Sequence, residues 1–94
     1  MAGVIEELED VLRSRAAEQP EGSYTTTLLR DSELLSRKIM EEAFETTLEL
    51  GRGTIDESGL VSEAADVVYH LVVGLVGAGC SFTDVEAELA RRRQ

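Results

Sequence analysis

The segment spanning residues 60–78 constrains the fold more than any other part of this 94-residue chain. Between residues 64 and 78 its only strongly polar side chains are Asp66, Tyr69 and His70. A helix that is apolar nearly all round is expected to be buried on most of its sides. The most apolar stretch, residues 64–80, is shorter than a typical transmembrane helix and contains Asp66 and His70, so we interpret it as a buried helix of a soluble protein.

The remaining segments also carry helical signals, and no period-two alternation of useful length competes with them. We therefore predict an all-α fold. The predicted helices cover residues 4–18, 24–30, 32–50 and 60–78, followed by a last helix that opens at Ser81.

Glycines and short polar residues mark the predicted helix ends. Gly51 and Gly53 are expected to end the helix over 32–50 by adopting left-handed conformations, and Gly79 to end the helix over 60–78. A short polar side chain commonly caps the first turn of a helix. The candidate caps are Asp56 or Ser58 for the helix over 60–78, and Ser81, in a capping box with Asp84, for the last helix.

Size and charge limit the possible partners. A single domain over residues 1–94 buries only a modest core, so we expect a small helical bundle completed by homodimerisation. The net charge of −10 argues against nucleic acid and anionic membranes as partners. A nucleotide substrate remains compatible if a metal ion lies between carboxylates and phosphates.

The cysteine content and the start of the chain suggest a cellular location. The single cysteine, Cys80, cannot form an internal disulfide, and this fits a reducing cytoplasmic setting. Residues 1–10 are acidic where an export signal would be basic and then apolar, so no export signal is expected.

Two pairs of carboxylates form the candidate site. Glu42 and Glu45 lie one turn apart on the helix over 32–50, and Glu63 and Asp66 are spaced alike on the helix over 60–78. If the two helices pack antiparallel, the pairs can face each other. An ionised Asp66 in an apolar helix is costly unless a cation compensates it, and Mg²⁺ suits a set of oxygen ligands.

Several neighbouring residues allow two interpretations. Glu41 is either a member of the site or part of a solvated face, and for Glu49 the solvated face is favoured. Lys38 either contacts a phosphate beside the metal or forms an ordinary ion pair on its helix. His70 is interpreted as a hydrogen-bonded histidine at a helix interface rather than a ligand, since a di-iron bundle needs two Glu-x-x-His motifs.

Sequence stretches in the same order along the chain resemble the phosphoribosyl-ATP pyrophosphohydrolase family. This family belongs to the MazG-like, all-α NTP pyrophosphohydrolase superfamily. The matching stretches are Ser-Tyr-Thr at 23–25, Lys-Ile-Met-Glu-Glu-Ala-Phe-Glu at 38–45, Glu-Ala-Ala-Asp-Val-Val-Tyr-His-Leu at 63–71, Gly-Cys-Ser-Phe-Thr-Asp-Val at 79–85 and Glu-Leu-Ala-Arg-Arg at 88–92.

The resemblance implies an all-α NTP pyrophosphohydrolase fold, a homodimer and Mg²⁺-dependent hydrolysis of phosphoribosyl-ATP to phosphoribosyl-AMP and pyrophosphate in histidine biosynthesis. It also implies roles for individual residues. The metal ligands would be Glu42, Glu45, Glu63 and Asp66, with Glu41 as a further catalytic candidate, and the substrate-side residues would be Lys38, Ser23, Tyr24 and Thr25.

Two other functions use the same features. A housecleaning pyrophosphohydrolase of non-standard or deoxy nucleoside triphosphates would use the same carboxylates. A non-catalytic helical dimer that scaffolds a partner belongs to a different class, and it would leave Asp66 buried without a cation. Response of the melting temperature to Mg²⁺ would separate the scaffold from either enzyme.

Overall fold

The computed structural model describes residues 3–93, which form five α-helices and no strand. The helices are α1 (Val4–Glu18), α2 (Tyr24–Arg30), α3 (Ser32–Leu50), α4 (Glu57–Gly77) and α5 (Phe82–Arg92). The all-α prediction is confirmed, and only α4 departs from its predicted start, by three residues. Met1, Ala2 and Gln94 belong to the predicted 1–94 domain, and Met1 and Ala2 to the acidic start, but they lie outside the described residues.

The two longest helices, α3 and α4, pack against each other in antiparallel directions. Leu35, early in α3, meets the later part of α4, where a Cβ added to Gly74 would lie 3.4 Å from the Leu35 Cδ2 atom. At the other end, a Cβ added to Gly59 would lie 3.0 Å from the Glu49 Oε2 atom. Between these contacts, the carboxyl groups of Glu45 and Glu63 meet.

The helix ends show which of the predicted caps form. The Asp56 side chain accepts a hydrogen bond from the Gly59 N–H at 3.3 Å and caps α4, whereas Ser58 lies within the first turn. Ser81 caps α5 in the predicted capping box with Asp84.

The glycine prediction holds at Gly79, which has a φ of +80°. It is wrong at Gly51, which has a φ of −84°, and at Gly53, whose φ is not positive. Gly51 instead extends the right-handed turn, because its N–H donates to the Thr47 carbonyl at 3.0 Å.

The core of the chain lies where α1, α2 and α4 meet, and it contains Leu12, Leu28, Val72 and Val73. Within α4 itself, only His70, Val72 and Val73 are buried. The prediction that this helix is buried on most sides is therefore wrong for the single chain. The physical reason is that the described helices leave one face of α4 uncovered, where Val61 and Leu71 are exposed.

By length and composition alone, α4 is long and apolar enough to cross a membrane. The core helix of a soluble protein meets the same criterion, so this property alone is weak evidence for a membrane span.

Candidate active site

Three carboxylates from α3 and α4 meet at one place between the two helices. Glu42 and Glu45 lie one turn apart on α3, and Glu63 approaches from α4 because the helices run antiparallel. One carboxylate oxygen from each of the three lies within 4.8 Å of the others, a spacing at which one ion could contact all three. The structure thus brings together three of the four predicted metal ligands.

The carboxylates of this cluster repel one another, and the repulsion affects the pKa of Glu45. The pKa of Glu45 is raised, first by a hydrogen bond with the Glu63 carboxyl group and then by repulsion from its charge. The Oε2 atom of Glu63 is buried without a hydrogen-bond partner. Two carboxyl groups in this arrangement need either a shared proton or a bound cation, and an all-oxygen set of donors fits Mg²⁺.

The fourth predicted ligand, Asp66, has a different environment from the one expected. It lies one turn beyond Glu63 on α4 and contributes to the raised pKa of Glu45, so it is close to the cluster. However, Asp66 is exposed in the single chain, because it lies where no described helix covers α4. The expected cost of a buried aspartate therefore does not apply to one chain, and the need for a cation rests on Glu45 and Glu63.

Glu41 and Lys38 lie on the same part of α3. Their side chains form an ion pair with an N–O distance of 3.6 Å, and Glu41 is exposed while Lys38 is half-buried. The Glu41 charge is a minor cause of the raised pKa of Glu45, and the Lys38 charge opposes the rise in the pKa of Tyr24. Lys38 therefore forms the ordinary helical ion pair, and its charge also acts on Tyr24 beside the carboxylates.

Glu49 lies one turn further along α3, outside the group of three carboxylates. Its side chain pairs with Arg52 at 3.0 Å, and its Oε2 atom is buried against Gly59 without a hydrogen-bond partner. The expected solvated face is therefore only partly correct for Glu49, because the turn into α4 covers it.

The N-terminus of α2 lies beside the same cluster. Ser23 caps this helix by accepting a hydrogen bond from the Thr26 N–H at 3.3 Å. The pKa of Tyr24 is raised mainly by burial, and more weakly by the charges of Glu42 and Asp66. Tyr24 is thus close to the predicted metal ligands, and Ser23 caps the helix that carries it.

Two hydrogen bonds from consecutive residues join α2 to α4. The Tyr24 hydroxyl lies 2.9 Å from the His70 Nε2 atom, and the Thr25 Oγ1 atom lies 2.9 Å from the Tyr69 hydroxyl. His70 is therefore a hydrogen-bonded interface histidine, as predicted. Sequence reasoning did not assign a function to Tyr69. The sequence signal for these bonds is that residues 24–25 and residues 69–70 are both pairs of adjacent polar residues.

Comparison with known proteins gives a consistent result over nearly the whole chain. A family model described as "Phosphoribosyl-ATP pyrophosphohydrolase" matches residues 5–93. A "Phosphoribosyl-ATP pyrophosphatase" of Methylobacterium nodulans is 46% identical over 92% of this chain and 79% of its own length. Its counterpart from Metallosphaera sedula is 42% identical over 98% of both chains.

Relatives with a second activity in their names also match. The "Histidine biosynthesis bifunctional protein HisIE" of Staphylococcus aureus is 40% identical over 94% of this chain, which corresponds to 41% of that longer protein.

Proposed function

Because the chain belongs to the phosphoribosyl-ATP pyrophosphohydrolase family, we propose that it is the enzyme that hydrolyses phosphoribosyl-ATP to phosphoribosyl-AMP and pyrophosphate. This reaction is a step of histidine biosynthesis, in agreement with the names of the bifunctional relatives. The observation that carries the proposal is the meeting of Glu42, Glu45 and Glu63 in a chain that matches the family from residue 5 to 93. We assign the whole chain, residues 1–94, to one domain with this activity.

The proposed cofactor is Mg²⁺, held by Glu42, Glu45, Glu63 and Asp66. The raised pKa of Glu45 and the unpartnered Glu63 oxygen support this assignment, since both are relieved by a cation. When bound, Mg²⁺ neutralises phosphate charge and lowers the pKa of a coordinated water. The exposed position of Asp66 leaves its carboxylate accessible to a ligand that arrives with the substrate phosphates.

The other assigned residues act on the substrate side of this cluster. Glu41 is the candidate for accepting a proton from the attacking water, because it is exposed and adjacent to the proposed ligands. Lys38 is the proposed contact for a phosphate oxygen, and its half-buried ammonium group beside Glu41 supports this role. Ser23 and Thr25 fix the start of α2 through their hydrogen bonds, and Tyr24 is the exposed residue between them.

We further propose a homodimer in the cytoplasm. An apolar stripe on α3, formed by Met40, Phe44 and Leu48, is exposed in the single chain together with Val61 and Leu71 of α4. Exposed apolar patches of this kind mark protein–protein interfaces, and a second copy would cover the face of α4 that the single chain leaves open.

A substrate panel tests the proposed reaction. Phosphoribosyl-ATP, dUTP, dCTP and ATP are supplied at equal concentration with Mg²⁺, and pyrophosphate and phosphate are measured separately. Phosphoribosyl-ATP should be cleaved fastest and should release pyrophosphate, not a single phosphate. Preference for a deoxynucleotide would favour a housecleaning enzyme. Mg²⁺ binding without any cleavage would leave only a non-catalytic role.

Variants of the carboxylates complete this test. Glu45→Gln and Asp66→Asn should each lower kcat by at least about 100-fold, the scale on which lost electrostatic stabilisation appears in other active sites. Lys38→Ala should lower kcat/KM by roughly 10–100-fold, since a hydrogen bond to a charged group contributes about 1.5–3 kcal/mol. Glu33→Gln is the matched control, because Glu33 is an exposed glutamate in the first turn of the same helix.

A further inference from the structure

In a neutral His70 ring, the direction of both hydrogen bonds follows from the geometry. His70 is buried, with 5% of its surface exposed, and both ring nitrogens have a partner. Its Nδ1 atom lies 2.8 Å from the backbone carbonyl oxygen of Asp66, and its Nε2 atom lies 2.9 Å from the Tyr24 hydroxyl oxygen. A carbonyl oxygen can only accept a hydrogen bond, so the proton of the neutral ring must be on Nδ1.

The position of this proton determines what Tyr24 can do. With Nδ1 protonated, Nε2 carries a lone pair and accepts, so the Tyr24 hydroxyl must donate its only hydrogen to His70. The Tyr24 oxygen then has only lone pairs available in other directions. Nearly half of the Tyr24 surface, 47%, is exposed, and the residue is close enough to Glu42 and Asp66 for their charges to affect it.

Building on the proposed function, we propose that His70 is a positioning residue that holds the Tyr24 hydroxyl hydrogen away from the substrate. The Tyr24 oxygen then accepts a hydrogen bond from a hydroxyl or N–H group of the substrate, such as a ribose hydroxyl. It does not contact the phosphate chain, because ionised phosphate oxygens are acceptors and have no hydrogen to offer. The phosphate contact on this side is left to Lys38, whose ammonium group can donate.

The arrangement of the ring supports a positioning role. Tyr24 and His70 meet edge to face, with ring centroids 5.9 Å apart and planes at 88°. Tyr69 also meets His70 in this way, with centroids 5.2 Å apart and planes at 84°. The imidazole therefore contacts two aromatic rings and the Asp66 carbonyl group, and these contacts oppose rotation of the ring away from Tyr24.

Nuclear magnetic resonance tests the hydrogen-bond direction without any activity. His70 is the only histidine in the chain, so one pair of imidazole nitrogen signals reports on it. In ¹⁵N-labelled wild type at neutral pH, the long-range ¹H–¹⁵N spectrum should show a protonated Nδ1 and an unprotonated Nε2. Tyr24→Phe should shift the Nε2 signal toward that of a free lone pair and leave Nδ1 protonated. A protonated Nε2 in wild type at neutral pH, whether in the other tautomer or in an imidazolium, would overturn the proposal.

Kinetics test the effect on substrate. Tyr24→Phe should raise KM for phosphoribosyl-ATP by roughly three- to tenfold and leave kcat within about twofold, the scale of one neutral hydrogen bond made equally in ground and transition states. His70→Asn, which keeps a group near Nδ1 but none at Nε2, should raise KM in the same way. His70→Gln, which can place an amide oxygen near the Nε2 position, should restore much of the affinity.

A double variant and a matched control separate positioning from general support of the helix contact. Tyr24→Phe combined with His70→Asn should be no worse than Tyr24→Phe alone, within about twofold, because His70 acts through Tyr24. Tyr69→Phe keeps the ring that packs against His70, removes the neighbouring bond between α2 and α4, and should raise KM clearly less than Tyr24→Phe does. Additive effects in the double variant, or an equal rise in KM for Tyr69→Phe, would show that the bonds only join the helices.

Failure of the proposed function would look different. A wild-type protein that shows the expected His70 tautomer but does not cleave phosphoribosyl-ATP would refute the reaction, and with it the substrate contact of Tyr24. The direction of the Tyr24–His70 hydrogen bond would still be established by the spectrum.

Discussion

At the scale of single residues, the site depends on a contact that would be unfavourable by itself. Glu45 and Glu63 come from different helices, and their carboxyl groups are close enough to share a hydrogen bond. Glu45 is exposed to solvent, so water screens part of the repulsion, whereas one oxygen of Glu63 is buried without a partner. Such a pair is best stabilised by a proton at low pH or by a divalent cation at neutral pH.

The raised pKa of Glu45 predicts how stability depends on pH in the absence of metal. Between the ordinary glutamate pKa and the raised value, the folded chain binds more protons than the unfolded chain. The contribution of Glu45 is therefore fully present below the ordinary pKa and is lost as pH rises through the raised value. In EDTA, lowering the pH from 7 to 5 should raise the Tm of wild type more than that of Glu45→Gln.

Thermal melts over this pH range provide the measurement, and Mg²⁺ at pH 7 should remove the difference by taking the place of the proton. Glu33→Gln controls for the other acidic residues, since it makes the same substitution at an exposed site on α3. Parallel pH profiles for wild type and Glu45→Gln would mean that repulsion at Glu45 does not affect stability.

At the scale of helices, the residues that break or cap helices were sufficient to predict most helix boundaries. Pro20, Gly22 and Asp31 separate the first three helices, and their predicted bounds match the structure. The predicted start of α4 is three residues late, because a glycine such as Gly59 is more typical of a linker than of a first helical turn. In the structure Gly59 is helical, and its missing Cβ leaves room for two carboxylates: an added Cβ would lie 2.7 Å from Asp56 Oδ2 and 3.0 Å from Glu49 Oε2.

In the candidate site, too, some features could be predicted from the sequence and others could not. The spacing of Glu42, Glu45 and Glu63 predicted which carboxylates could meet, because helical period and antiparallel packing suffice for that inference. The hydrogen bond between Tyr24 and His70 could not be predicted, since it joins residues 46 positions apart and depends on how α2 lies on α4. The exposure of Asp66 was also unpredictable, because an apolar helix does not reveal which of its sides a neighbour covers.

The cap of α4 gives a prediction about the element that carries Glu63. Asp56→Ala should lower stability by about 1 kcal/mol, because it removes the acceptor for the Gly59 N–H at the start of the helix. For a domain of this size the Tm should fall by about 4–8 °C. Asp56→Asn retains an acceptor and should lose much less. Equal losses in the two variants, measured by thermal melts, would show that the cap is not the source of the stability.

At the scale of the whole molecule, the single chain exposes more apolar surface than its own helices can cover. Met40, Phe44 and Leu48 recur every fourth residue along α3 and are 63%, 62% and 55% exposed. By contrast, Val72 of α4 is fully buried within the chain. Val72→Arg would therefore unfold the chain itself, so it could not test association. A substitution at the exposed Phe44 tests association without disturbing the core.

The homodimer is tested by placing a charge in this stripe. Wild type should sediment as a dimer at micromolar concentration. Phe44→Arg should weaken association by at least about 100-fold, because burying an unpaired charge in an interface costs several kcal/mol. Val11→Arg is the matched control: Val11 is also an exposed apolar residue, 50% accessible, but it lies on α1, away from the stripe, and its variant should remain dimeric. Circular dichroism shows whether each variant is folded. A well-folded wild-type monomer at micromolar concentration would contradict the prediction, and the apolar stripe would then need another partner to cover it.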